Sequence, residues 1–99
     1  MNNPVLAAEK LKELISLAEK ASNDFEKSAV YGAMNGLVRE FEEGDVLTGY
    51  GFEKLEYVRW GIAGALGFDT TNDKSKDGMI SMAYGQVESL IDVCKQIRN

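Results

Sequence analysis

Two glutamate pairs, Glu40 with Glu43 and Glu53 with Glu56, stand three residues apart, and on a helix that spacing puts both carboxylates of a pair on one face. Two carboxylates on one face are what a magnesium site for phosphate chemistry can use. A second oxygen-rich stretch, Asp73-Lys74-Ser75-Lys76-Asp77-Gly78, alternates possible ligands ahead of a glycine. Between the glutamate pairs, Thr48-Gly49-Tyr50-Gly51-Phe52 isolates an aromatic between two glycines. Tyr50 then has no neighbouring side chain to bury it, and it reads either as an interface anchor or as a ring folded back over one end of the fold. As a phosphate cradle this segment fails, because no Lys or Ser/Thr follows in the P-loop position. The chain has one cysteine, Cys94, and no histidine. Without imidazole there is no Ser–His or Cys–His dyad, no acid or base of that kind near neutrality, and no haem or His-zinc ligand.

Residues 73–84 resemble the start of an EF-hand calcium loop, with Gly78 at the sharp turn in position six and Ile80 at position eight. The resemblance implies a calcium site, yet position twelve, a bidentate glutamate in that loop, is Tyr84 here. The plain alternative is a polar loop in which Ser75 or Asp77 caps the next helix. The glutamate pairs are similar to those of MazG-type nucleotide pyrophosphohydrolases, which are all-α. That resemblance implies magnesium-dependent release of pyrophosphate from nucleoside triphosphates. Two departures stand against it: the second pair ends in Glu56 where that family has Asp, and only Lys54 and Arg59 are nearby to hold phosphate.

Charge narrows the partners. Sixteen acidic against eleven basic residues give a net charge of −5 and a pI near 4.7, and the cations are scattered with no two adjacent. Such a surface repels duplex DNA and anionic membranes, so neither direct nucleic-acid binding nor membrane binding is expected. From Glu40 to Glu56 there are six carboxylates against one cation, Lys54. This run reads as a solvated helix end or as a docking surface for a basic protein partner. The candidate partner-binding residues are Glu40, Glu42, Glu43 and Asp45, with Tyr50 and Phe52 as apolar anchors. Met-Asn-Asn-Pro has no cationic leader, and the longest apolar stretch, Gly61 to Phe68, is too short to cross a bilayer, so a cytoplasmic location is expected. No cofactor is expected.

Ninety-nine residues, 44% hydrophobic and 27% charged, fit one domain spanning 1–99. Four helices position everything above, at about 4–21, 23–43, 52–67 and 79–98. Asn3-Pro4 opens the first, whose apolar stripe is Ala7, Leu11, Leu14 and Ala18, widened by Ala8 and Ile15. Asn23 with Glu26 forms a capping-box pair for the second, and Phe25, Ala29, Ala33, Leu37 and Phe41 mark its face up to Gly44. Asn35-Gly36 is a hairpin dipeptide, but the helical period runs through it. Residues 44–51 read as a glycine-punctuated loop. The third helix shows Phe52, Leu55, Val58, Ile62 and Leu66 on one face and Tyr57, Trp60, Gly64 and Phe68 on another, which reads as a central helix with Tyr57 and Trp60 in the core or as one that also meets a second subunit. Arg59 interrupts it as a snorkelling cation or as the partner of Glu56. The fourth carries the seam Ile80, Ala83, Val87, Leu90, Cys94 and Ile97, with Lys95 and Arg98 at the favourable end of the helix dipole. Cys94 on that seam is an inert thiol.

The expected architecture is therefore all-α, a compact bundle of four helices. Gly32, Gly36, Gly61, Gly64 and Gly85 lie inside helices, where each costs about 1 kcal/mol relative to Ala. Small residues four apart, Ser28-Gly32-Gly36 and Ser81-Gly85-Ser89, offer smooth grooves for internal packing, for self-association or for a flat ligand. Small size, acidity and lack of histidine give this chain the general character of inhibitors, immunity proteins and anti-defence proteins, which resemble it only in that respect. The expectation is a non-enzymatic protein that occludes a macromolecular partner. Its alternatives are a self-assembling oligomer that holds a small ligand between subunits and a MazG-like hydrolase.

Overall fold

A computed structural model describes residues 1–69 and 74–97. Three of its four helices begin where a side chain caps the first turn. The Asn3 side-chain oxygen accepts from the Leu6 amide at 3.0 Å and Pro4 takes the first helical position, so α1 runs Pro4–Lys20. Asn23 accepts from the Glu26 amide at 2.8 Å and opens α2, Asp24–Gly44. The Glu26 carboxylate reaches back one residue beyond the cap, accepting from both the amide and the hydroxyl of Ser22 at 3.0 Å. Thr48 begins α3, Gly49–Ala65, through its backbone carbonyl alone, which accepts from the Phe52 amide at 2.9 Å. Ser75 accepts from the Gly78 amide at 3.1 Å and starts α4, Lys76–Lys95.

Consecutive helices run antiparallel. Met1 lies against Gly44, so the start of α1 meets the end of α2, and along α3 and α4 the pairs Gly51–Val93, Gly61–Ala83 and Gly64–Met79 close an antiparallel seam. This seam is the most extensive contact in the molecule. α1 packs on α4 and touches α3, while α2 packs on α1, touches α3 and stays clear of α4. The result is an all-α four-helix bundle of 39 × 24 × 19 Å. No helix among the described residues is long and apolar enough to cross a membrane. The sequence stripes of α1 and α4 are the buried ones: Ala7, Ala8, Leu11, Leu14, Ile15 and Ala18 on the first, Ile80, Ala83, Val87, Leu90 and Cys94 on the last.

α2 departs from its sequence reading by about a quarter turn. Its buried residues are Val30, Met34, Val38 and Phe41, whereas Ala29 and Ala33 are exposed and Phe25 is 84% exposed. One residue along a helix is about 100° of rotation, and both lines of apolar residues have helical spacing, so periodicity alone could not choose between them. The line carrying Val30, Met34 and Val38 buries more aliphatic surface than one rich in alanine, and it faces the core.

The ends also move. Gly49 to Gly51 belong to the first turn of α3, so the connection from α2 is only residues 45–48. First-turn amides have no intrahelical partner, which makes glycine there less costly than in a helix interior. Gly44 stays helical, and Asp45 takes the left-handed conformation at φ 50°. A Cβ on Gly44 would lie 2.7 Å from the Met1 Cβ, so close approach, not turn geometry, explains that glycine. α3 closes in a Schellman motif: Gly67 has φ 84°, its amide donates to the Gly64 carbonyl, and the Phe68 amide donates to the Ala63 carbonyl at 2.9 Å. Phe68 thereby meets Tyr31 of α2 edge-on, 5.0 Å between ring centres. Arg98 lies outside the described residues.

Candidate partner-docking face

The α2–α3 corner gathers the predicted acidic residues, but on two sides of α2. Glu40 and Glu43 line a groove of about 470 Å³ with Met1, Leu6 and Lys10 of the first segment. Glu42 looks the other way, into a polar groove of about 270 Å³ shared with Asn35, Arg39, Glu56 and Arg59. There the Arg59 guanidinium donates to Glu56 at 2.7 Å, and that bond raises the arginine above its ordinary range. Arg59 is thus a surface ion-pair partner, as one of its sequence readings has it.

Glu40, Glu42, Glu43 and Asp45 are exposed and make no ion pair among the described residues. Their placement works against the helix. Glu40, Glu42 and Glu43 occupy the final turns of α2, the negative end of its dipole, and no basic residue stands in that last turn. Each such carboxylate near a helix C-terminus is unfavourable by about 0.3–1 kcal/mol. α1 and α4 do the opposite and end with Lys20 and Lys95.

Tyr50 is 57% exposed on the first turn of α3, so its ring is not folded back as a plug. Phe52 is half-buried against the core and offers only part of its ring outward. Of the two aromatics that the sequence reading assigned to the core, Tyr57 stands instead on the outer rim of α3, whereas Trp60 packs against the core and borders that rim. Tyr57 is 37% exposed, and Trp60 is half-buried with its ring 6.5 Å from that of Tyr57. The Lys54 ammonium stands 5.0 Å from the centre of the Tyr50 ring and 6.0 Å from that of Tyr57. The signal for this rim was present as the second apolar face of the third helix. A helix apolar nearly all round has more ring surface than its own bundle can cover.

Neither metal reading finds its geometry. Glu40 and Glu43 face the α1 side, whereas Glu56 faces the α2–α3 groove and is held by Arg59, so the two glutamate pairs do not converge. Among the described residues no three His, Cys, Asp or Glu side chains are placed to hold an ion. In the EF-hand-like stretch Asp73 lies outside the described residues, and from Lys76 onward the chain is the helix α4. A loop cannot wrap a cation with residues that are already helical, and Ser75 serves as the cap instead. Cys94 is buried among apolar side chains, and that burial raises its thiol to about 11. It stays protonated and unreactive near neutrality.

Comparison with protein-family models, curated proteins and solved structures finds no match to this chain.

Proposed function

We propose that this chain is a non-enzymatic binding protein that docks on and occludes a basic surface of a macromolecular partner, in the manner of inhibitors and immunity or anti-defence proteins. One observation carries the reading: exposed, unpaired carboxylates stand at the end of α2 where the helix dipole disfavours them. Stability given up at a surface is compensated when a cationic partner covers it, because complementary charge speeds association and fixes orientation. Affinity capture from the host lysate, with Glu42→Lys/Glu43→Lys as the paired bait, tests this. A stoichiometric partner held by the parent chain and lost by the variant is the expected result. Equal capture by both baits, or capture by neither, would end the reading.

A second reading, self-assembly, has its own observation. Gly32 and Gly36 face open space on the outer side of α2 beside the exposed Phe25, Ala29 and Ala33. Light scattering separates the two, since an assembly must exceed the 10.9 kDa of one chain and an occluding inhibitor need not.

A further inference from the structure

We infer that the outer rim of α3, formed by Tyr50, Glu53 and Tyr57 and bordered by Trp60, seats cationic side chains of an arginine-rich segment of the protein partner. This rests on the docking reading above and names what the partner presents. Tyr50 and Tyr57 are exposed two helical turns apart, about 10 Å along the axis, which spaces two rings for two successive cations. Glu53 is exposed on the same helix, three residues from Tyr50 and four from Tyr57, so a carboxylate flanks both rings.

The rings already hold one cation. Lys54, the single basic residue between Glu40 and Glu56, places its ammonium over both tyrosines. An aromatic face attracts a cation through its quadrupole, and a planar guanidinium adds stacking that an ammonium lacks. Arginine is therefore the side chain best able to share these rings with Lys54 or to displace it. Exposed aromatics also stack on unpaired nucleic-acid bases, but such binding needs a positive groove for the phosphates. Here the rings flank the exposed Glu53 on a chain of net charge −5, so charge selects a cationic peptide.

Trp60 is the only tryptophan and lies against Tyr57, so its emission reports on the rim. The probe is a nona-arginine peptide titrated into the full chain at physiological salt, followed by Trp60 emission and by calorimetry. The parent chain is expected to bind saturably. Tyr50→Leu/Tyr57→Leu keeps the net charge and the apolar bulk while removing both ring faces, and it should weaken binding about five-fold or more. Lys54→Met should tighten binding several-fold more than Lys20→Met, a control with the same charge change at the far end of α1. This second comparison does not depend on a loss, so a poorly folded variant cannot imitate it. Equal affinity in the tyrosine variant, or no difference between the two lysine variants, would overturn the rim and leave occlusion by the acidic corner standing. Failure of the parent chain to bind nona-arginine would overturn the rim as well. The acidic-corner reading falls separately, through capture that ignores Glu42 and Glu43.

Discussion

The α3–α4 seam and the outer side of α2 are both lined with glycines, and the two regions use them in opposite ways. A Cβ on Gly61 would lie 2.8 Å from the Ala83 Cβ and 3.1 Å from the Met79 carbonyl oxygen, and one on Gly64 would collide with the Met79 side chain. These glycines let two helices approach closely, and their propensity cost returns as packing. Gly32 and Gly36 have nothing within 4 Å of where a Cβ would stand, and Gly85 is equally open. There the propensity cost has no return within one chain. A small-residue motif read in a sequence fixes neither case; the neighbour decides.

Substitutions sharpen that contrast, beginning inside α2. Phe41 is fully buried and pins α2 to the core, so Phe41→Ala should cost about 3–5 kcal/mol in denaturant unfolding. Phe25→Ala, at the opposite face of the same helix, should change stability by less than about 0.5 kcal/mol. In the seam, Gly61→Ala forces a methyl group against the Met79 backbone and should destabilise by about 1–3 kcal/mol. On the open face the sign reverses: Gly32→Ala and Gly36→Ala should each raise stability by up to about 1 kcal/mol. A loss at Gly32 or Gly36 in the monomer would break the comparison.

The smallest effect belongs to the hinge between α1 and α2. Hydrogen bonds from the Ser22 amide and hydroxyl lower the Glu26 carboxyl below its ordinary value of 4.5. A carboxyl lowered on folding stabilises the fold above its unfolded value, and that contribution fades as pH falls through the lowered folded value. Glu26→Gln should therefore melt slightly below the parent at pH 7, with the gap closing in acid, as thermal scans across that range would read.

How much of this was legible beforehand follows from the same physics. α1 and α4 were readable because in each one apolar stripe outweighs the other faces, so Leu11 and Ile15 or Val87 and Leu90 had one favoured way to face. α2 has two apolar lines, through Phe25–Ala29–Ala33 and through Val30–Met34–Val38, and only the neighbouring helices break that tie. The start of α3 was hidden because glycine penalties in a helix interior do not carry over to a first turn. Of the candidate site, the exposure of Glu40, Glu42, Glu43 and Asp45 could be read from residue type, whereas Tyr50 had two readings that only the structure separates. Which neighbours Glu42 and the Glu40–Glu43 pair each face depends on helix rotation, and that Tyr50 shares a rim with Tyr57 depends on residues 49–51 being helical. Single-sequence patterning leaves rotation undetermined whenever apolar residues surround the axis.

The position of α2 has a consequence for how the protein opens. α2 anchors itself by four buried side chains along 21 residues, where α1 and α4 each bury seven. Elements with few buried contacts detach at lower free energy than the whole molecule unfolds. Amides of α2 should then exchange with deuterium through a partial opening that leaves α1, α3 and α4 protected. In that open form Val30, Met34, Val38 and Phe41 would present a second apolar strip to any molecule able to trap it.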